Sequence, residues 1–180
     1  MTRPEAPVEI VLYDPAWPIR FEEEAEVLQS ALAPWLVAKL EHIGSTAIPG
    51  LAAKPVIDIM AGVKTLAESR PAIAAVATVG YHYEPYQVEL EHWFCKPSLA
   101  FRTHHLHLVP FGSPQWLRPL AFRNYLRAHP AVATEYEAIK RRLAQQHRFD
   151  REQYTQAKTP FIDQITDLAL HMGYARGREA

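Results

Sequence analysis

The sequence predicts an α+β fold in which a helix precedes a mostly antiparallel sheet and the C-terminal third is helical. Three observations indicate this order: an apolar stripe at helical spacing near the N-terminus, short β-type runs in the middle of the chain, and helix-capping signals after residue 110. The chain has 180 residues, of which 48% are apolar, and it shows no internal repeat or shift in composition. We therefore expect one domain over residues 1–180 with a substantial core.

The N-terminal part is predicted to contain a short strand and one helix. Residues 8–13 form a β-type run, and a helical pattern then extends over residues 18–40. Pro34 should kink or split this helix because proline lacks the amide hydrogen that a helix interior needs. Residues 40–43 are expected to be extended up to the turn that begins at Gly44.

The middle of the chain is predicted to form the sheet. Its β-type runs cover residues 55–63, 81–84, 88–95 and 101–109. An amphipathic helix over residues 66–79 separates the first two runs, and the glycine that follows can end it.

The C-terminal third is predicted to contain three helices. Ser113 caps a helix whose first residue is Pro114 and which reaches residue 128. Pro130 begins a second helix through residue 146, and a capping-box-like start at Asp150 begins a third that reaches residue 172. Pro160 lies inside the third helix and should kink it or divide it into two shorter helices.

Composition excludes several classes of protein. The formal net charge of −1 does not supply the cationic surface that non-specific nucleic-acid binding needs, so we expect no nucleic-acid partner. A single cysteine, Cys95, excludes an intramolecular disulfide and suits a reducing compartment. The N-terminus lacks the apolar core of a signal peptide, and no run approaches the roughly 18 apolar residues of a membrane span. We therefore expect a cytoplasmic protein without a membrane partner.

One carboxylate, Asp58, stands in the otherwise apolar run of residues 55–61. Burying an unpaired carboxylate costs roughly several kcal/mol, so this aspartate needs a cation, a metal ion or another partner. Side chains alternate along a strand, which places Val56, Asp58 and Met60 on one face.

The same alternation makes His105 and His107 project together from their strand, about 6.5–7 Å apart along it. If this strand pairs beside the Asp58 strand, the three side chains face one cleft. Three nitrogen and oxygen ligands with open positions are typical of a catalytic metal site, so we expect Asp58, His105 and His107 to bind a metal ion and carry catalysis. The alternative is a polar patch of histidines on an exposed sheet face.

The turn Gly44-Ser45-Thr46 could hold a phosphate through its backbone amides and hydroxyls, and Lys54 could meet the phosphate as a point charge. The alternative is ordinary turn chemistry with a solvated lysine. In the helical third, Tyr154 and Lys158 lie four residues apart on one helix face.

Basic helices of the C-terminal third could line a cleft and bind an anion. We therefore add Arg123, Tyr154 and Lys158 to the candidate substrate-binding residues, which also include Gly44, Ser45, Thr46 and Lys54. The alternative is that these cations serve solubility on helix surfaces.

Several long stretches together resemble the GrpB family, whose members are nucleotidyltransferase-like and also occur fused to dephospho-CoA kinase. The matching stretches are YDPAWPIRFEEE (13–24), EHIGSTAIPGLAAKPVIDIM (41–60), GYHYEP (80–85), RTHHLHLVP (102–110), LAFRNYLRAHP (120–130) and DREQYTQAKTPFI (150–162). The resemblance implies a nucleotidyltransferase-like mixed β-sheet backed by helices. It also implies that Gly44 and Ser45 form the nucleotide-phosphate turn and that Asp58 is the first metal-binding carboxylate.

The chain departs from this family pattern at three places. Met60 stands where a second acid is expected, a histidine (His105 or His107) replaces a third carboxylate, and Asn124 stands in FRNYLR where FRDYLR is common. Magnesium prefers oxygen ligands, so a site for two magnesium ions is doubtful with one aspartate. The pattern favours one divalent ion of the Mn²⁺, Zn²⁺ or Fe²⁺ type, leaves Mg²⁺ open as its identity, or indicates that catalysis has been lost.

Two functions follow from these features. In the first, the protein binds a nucleotide or phosphorylated metabolite with one divalent metal and transfers a nucleotidyl or phosphoryl group to a small acceptor. In the second, it is a catalytically degenerate module that binds a nucleotide or coenzyme A and assists a protein partner in coenzyme A metabolism. The sequence leaves the substrate, the acceptor and the oligomeric state open.

Overall fold

The computed structural model describes residues 6–175, and this part of the chain contains five strands and five helices. The strands are β1 (Glu41–Ile43), β2 (Ile57–Val63), β3 (His82–Glu84), β4 (His92–Pro97) and β5 (Arg102–Pro110). The helices are α1 (Ala16–Leu32), α2 (Ala72–Ala77), α3 (Pro114–Ala128), α4 (Pro130–Gln146) and α5 (Arg151–His171), and a short 3₁₀ turn covers Ser45–Ala47. This element order confirms the predicted α+β fold with a helical C-terminal third.

The strands form one mixed sheet in the order β1-β2-β5-β4-β3. Strands β2 and β5 are parallel, whereas the other three neighbouring pairs are antiparallel, as the prediction of a mostly antiparallel sheet required. The strand that carries Asp58 therefore lies directly beside the strand that carries His105 and His107.

Alternation along β2 and β5 separates an apolar face from a partly polar one. Ile57, Ile59 and Ala61 of β2 pack with Leu106 and Leu108 of β5 in the main core cluster. Apolar residues of α1 and α2 cover this face, and the largest of them in α1 is Trp17. Burial of apolar side chains is the dominant favourable term in folding, so this cluster fixes the orientation of both strands.

The helices of the C-terminal third lie on the other side. Side chains of α3, α4 and α5 form a second cluster that also holds Ile48 and Leu51 from the segment after β1. Ser113 accepts a hydrogen bond from the amide of Trp116, and Asp150 accepts one from the amide of Gln153, so both predicted N-caps are confirmed.

Some predicted boundaries were wrong, mostly because of proline. Helix α1 ends at Leu32, two residues before Pro34, and α2 begins only after Pro71 instead of at residue 66. Proline lacks an amide hydrogen and disfavours a helical conformation in the residue before it, and the end of α1 near Pro34 agrees with the predicted split. By contrast, α5 runs without interruption through Pro160, an exposed position where water can satisfy the freed carbonyl group.

Two further predicted strands differ from the structure. The predicted strand over residues 8–13 is reduced to a single bridge between Val11 and Ala53, and β4 begins at His92 rather than at residue 88. None of the helices within residues 6–175 is both long enough and apolar enough to cross a lipid bilayer.

Met60 lies on the same face of β2 as Asp58 but in a different environment. Its side chain is fully buried in an apolar cluster with Ile43, Val109 and Trp116, and α3 covers this cluster. Position 60 therefore belongs to the core under α3, and the open part of this face is confined to the Asp58 end of the strand.

We expect Met60→Asp to lower the free energy of unfolding by about 3 kcal/mol or more, because it would place an unpaired carboxylate in an apolar cluster. Met60→Leu, which conserves volume, should lower it by less than about 1.5 kcal/mol. Urea denaturation of both variants measures the difference. A Met60→Asp protein as stable as Met60→Leu would contradict the burial of this position.

Candidate functional site

The parallel pairing of β2 and β5 places Asp58 opposite His105 in the register. His105 Nδ1 lies 2.8 Å from Asp58 Oδ1, and the imidazole N–H donates to the carboxylate. The aspartate that lacked a partner in the sequence thus has one, 47 residues away along the chain. His105 Nε2 is buried and finds no hydrogen-bond partner among the described residues.

His107 makes a second pair of the same kind. Its Nδ1 lies 2.6 Å from Oε2 of Glu91, a residue just before β4 that the sequence analysis did not single out. One ligand atom from each of Asp58, His105 and His107 can be chosen so that the three lie within 4.8 Å of one another. The sequence-predicted cluster is therefore assembled in space, with Glu91 behind it.

The pKa values in this cluster follow from burial and from these two pairs. Burial alone would raise the pKa of Asp58, but the hydrogen bond from His105 and the nearby positive charges outweigh it, and its pKa is lowered. Burial lowers the pKa of His105, and Asp58 offsets this only in part. For His107, the hydrogen bond and charge of Glu91 overcome burial and raise its pKa. Asp58 is thus ionised at neutral pH, and His105 favours the neutral form that a metal ligand requires.

The turn after β1 approaches the carboxylate closely at Gly44. The backbone φ of Gly44 is +71°, a left-handed conformation, and a Cβ at this position would collide with Oδ2 of Asp58. Only glycine combines this dihedral angle with the missing side chain. Gly44 therefore lets the predicted phosphate turn lie directly against the metal-ligand candidate.

Thr46 holds the turn from behind. Its hydroxyl donates to the carbonyl of Val56 at 3.1 Å and accepts from Nε2 of His42 at 3.0 Å. The ring of His42 stacks on Phe21, and burial lowers the pKa of His42 to about 4, so the ring is neutral. Because the only hydroxyl hydrogen of Thr46 is used, this residue positions the turn and has none left to donate to a phosphate.

Arg123 does not line the cleft. Its guanidinium donates to Oε2 of Glu41 at 2.6 Å and to the carbonyl of His42 at 2.8 Å, while Arg127 donates to the carbonyl of Ala47. These contacts tie α3 to β1 and to the turn. The position of Arg123 therefore does not support its predicted role in substrate binding.

A cavity of about 750 Å³ opens in front of the cluster. Apart from Arg123, every sequence-predicted site residue lines it: Gly44, Ser45, Thr46, Lys54, Asp58, His105, His107, Tyr154 and Lys158. The sequence analysis missed several other lining residues, notably Glu91, Trp93, Arg102, Tyr136, Lys140 and Arg151. A four-residue spacing of tyrosine and lysine, seen at Tyr154 and Lys158, recurs at Tyr136 and Lys140 and could have identified the second pair.

Lysines converge at the α4–α5 side of this cavity. Lys140 is 2% exposed, and its ammonium group donates to the carbonyl of Ala52. Burial, with repulsion from Lys158, lowers the pKa of Lys140 to about 7. Burial and repulsion from Lys54 likewise lower the pKa of Lys158 to about 7.

We expect Gly44→Ala to weaken binding at the Asp58 cluster, because the added methyl group must displace the Asp58 carboxylate. Gly50→Ala is the matched control: φ is +78° there, but a Cβ would meet no heavy atom of the described chain within 4 Å. Gly50→Ala should lose about 1–2 kcal/mol of stability to left-handed strain, and Gly44→Ala should lose more because its Cβ also collides with Asp58. Calorimetric titration with Mn²⁺ should show weakened binding only for Gly44→Ala, and equal affinities in both variants would contradict the close approach.

The stability of the ligand-free protein should rise as the pH increases above about 7. Lys140 and Lys158 lose their protons near pH 7 in the folded protein, whereas an unfolded lysine keeps its proton up to about pH 10.4. Between these values the unfolded state binds more protons, so stability increases with pH. Melting temperatures in phosphate-free buffers should show a smaller rise for Lys158→Met and an unchanged rise for the exposed control Lys64→Met. An identical rise in Lys158→Met and wild type would contradict the lowered pKa.

Comparison with known proteins identifies the family. The family model described as GrpB protein matches residues 7–168. UPF0157 protein YqkA of Bacillus subtilis is 38% identical over 159 residues, which are 88% of this chain and 46% of YqkA. The chain is also 28% identical to a dephospho-CoA kinase of Mycolicibacterium paratuberculosis over 87% of its own length and 44% of the kinase. It therefore spans less than half the length of both relatives.

The architecture agrees with a solved structure of the same family. The crystal structure of conserved protein GrpB from Enterococcus faecalis superimposes with a TM-score of 0.83 at 38% sequence identity, covering 91% of this chain and 98% of that one. The family match over residues 7–168, the relatives and the shared architecture agree with the resemblance found in the sequence motifs. The chain belongs to the GrpB family.

Proposed function

We propose that the cleft binds a nucleotide or a similar phosphorylated metabolite together with one divalent metal ion, and that it transfers a nucleotidyl or phosphoryl group to a small acceptor. The observation that carries this proposal is the meeting of Asp58, His105 and His107 beside the Gly44 turn, with ligand atoms within 4.8 Å of one another. A metal-ligand set and a turn suited to phosphate thus share one cavity.

The donor set fits one divalent ion better than two magnesium ions. Ligand atoms about 2.0–2.2 Å from a metal lie about 3–3.5 Å from each other, so three atoms within 4.8 Å of one another would have to move together by up to about 1.5 Å on metal binding. Two imidazoles and one carboxylate suit Mn²⁺, Zn²⁺ or Fe²⁺. A bound ion would neutralise charge on a phosphate oxygen.

Glu91 lies behind His107 as the outer carboxylate of a metal site usually does, and Asp58 would combine this role toward His105, through Oδ1, with metal binding through Oδ2. Asp58 accepts from Nδ1 of His105 and Glu91 accepts from Nδ1 of His107, which fixes both rings and leaves their Nε2 atoms for a ligand. The buried Nε2 of His105, which has no partner among the described residues, supports this assignment because burial of an unsatisfied polar atom is unfavourable.

The turn and Lys54 would receive the phosphate. Gly44 brings the backbone of residues 44–45 against Asp58, and Lys54 lines the same cavity. A phosphate placed there would lie between the metal ligands and a cation, which is the charge arrangement that phosphoryl transfer requires.

A second candidate function is a binding module that has lost catalysis. Met60 is buried in the core where the family pattern expects a second acid, which leaves one carboxylate among the three metal-ligand candidates. One relative is named dephospho-CoA kinase, and this chain aligns with 44% of it. Such a module would bind a nucleotide or coenzyme A and assist a partner in coenzyme A metabolism.

The first test compares Asp58→Asn with wild type. Asparagine keeps an acceptor for His105 Nδ1–H and removes the charge, so the fold should persist while Mn²⁺ affinity falls at least about tenfold. Asp167→Asn is the control, since Asp167 is an exposed carboxylate that pairs with Arg118. Calorimetric titration with Mn²⁺ and Zn²⁺ measures the effect, and unchanged affinity in Asp58→Asn would overturn the metal site.

Turnover separates the two candidate functions. Wild-type protein incubated with nucleoside triphosphates, Mn²⁺ and a panel of small hydroxyl and amine acceptors should attach the nucleotidyl group to an acceptor and release pyrophosphate, or attach the phosphoryl group and release a nucleoside diphosphate. Asp58→Asn should release neither product. Binding of a nucleotide or coenzyme A without product, and without dependence on the metal, would favour the binding module.

A further inference from the structure

Three lysines form a cluster around two tyrosines at the α4–α5 side of the cleft, and the metal-ligand candidates do not include them. The ammonium groups of Lys54 and Lys158 lie 5.1 Å and 4.3 Å from the centre of the Tyr154 ring. The ammonium group of Lys140 lies 4.8 Å from the centre of the Tyr136 ring. All five residues line the same cavity as Asp58.

The described part of the chain provides Lys140 and Lys158 with little compensating negative charge, and the Asp58 carboxylate only partly offsets the lowered pKa of Lys158. Within residues 6–175, neither Lys140 nor Lys158 forms a salt bridge, and Lys140 donates instead to the neutral carbonyl of Ala52. Glu137, the acid whose charge raises the pKa of Lys140, already accepts from the amide of Ala52 and from Arg141. A cation–π contact is worth only about 0.5–2 kcal/mol, which does not replace an ion pair for a buried or half-buried ammonium group.

The positive charges of Lys54, Lys140 and Lys158 lie close enough to repel one another. Lys54 and Lys158 both lower the pKa of Lys140, after the larger effect of burial, and Lys54 lowers the pKa of Lys158. Like charges held together in a cavity are unfavourable unless an anion enters between them. The arrangement is therefore suited to a multiply charged anion.

We propose that Lys54, Lys140 and Lys158 form a subsite for the terminal phosphates of the ligand, so that the ligand is a compound with a diphosphate or triphosphate chain. The inference rests on the proposed function only in that the cleft is the ligand site. One end of such a chain would lie at the Gly44 turn and its far end at Lys140 and Lys158, with Lys54 serving both ends of the chain. Lys140 and Lys158 thus make the subsite a source of affinity beyond the turn.

The subsite should bind pyrophosphate without any metal. The binding is measured by calorimetric titration with inorganic pyrophosphate at about 0.15 M salt and in excess EDTA. The salt screens long-range attraction between pyrophosphate and the protein surface, and EDTA prevents metal-mediated binding. We expect wild type to bind, Lys158→Met to bind at least about tenfold more weakly, and exposed Lys64→Met to bind like wild type. Met retains the aliphatic stem of Lys158, and Lys54→Met provides a second variant if Lys158→Met does not fold.

Asp58→Asn separates this inference from the proposed metal site. Removing the carboxylate takes away a charge that repels pyrophosphate, so this variant should bind pyrophosphate at least as tightly as wild type while losing affinity for Mn²⁺. Absence of pyrophosphate binding in wild type, or equal affinity in Lys158→Met, would overturn the lysine subsite even if the metal site were present. An equal loss in Lys64→Met would show a general charge effect and would also overturn it.

Discussion

The hydrogen bond between Asp58 and His105 depends on one structural constraint, the parallel register of β2 and β5. A shift of one residue would turn Asp58 into the apolar core and bring Ile57 or Ile59 to the cleft, because side chains alternate along a strand. The buried cluster on the opposite face prevents this shift, since Ile59, Leu106 and their neighbours are fully buried there. Packing of the apolar face of the sheet thus determines which side chains of β2 and β5 face the cleft.

A second layer of contacts holds the Gly44 turn against that pair. His42 and Thr46 fix the turn from inside the protein, while Arg123 and Arg127 attach it to α3 through carbonyl groups. His42, Thr46 and Arg123 are buried, Arg127 is exposed, and of these four residues Thr46 alone lines the cavity. Their function is to hold a backbone segment that would otherwise move independently of β2, and a candidate site that includes backbone amides requires such support.

The sequence predicted those parts of the site that depend on the alternation of side chains along a strand. Alternation along two strands indicated that Asp58, His105 and His107 could share a cleft, and the strand pairing that this required is confirmed. Glu91 could not be found in this way, because its contact with His107 depends on the order of β4 and β5 in the sheet. Lys140 was not among the predicted site residues because its contact with the carbonyl of Ala52 depends on how α4 packs against the segment before β2. Conversely, the sequence alone suggested that Arg123 binds a ligand. The structure shows that Arg123 is buried against Glu41 and makes a structural contact instead.

Charge divides the cleft into two unlike ends that depend on each other. The end at β2 and β5 holds Asp58 and Glu91 with two histidines, and the end at α4 and α5 holds the lysines. A divalent ion at the first end would make the whole cavity strongly positive, so bound phosphate would reduce the repulsion that the ion adds. A phosphate at the lysines would in turn favour the ion, because coupling between two ligands is reciprocal. Two ligands that each relieve the charge created by the other would explain why one protein retains both ends in a single cavity.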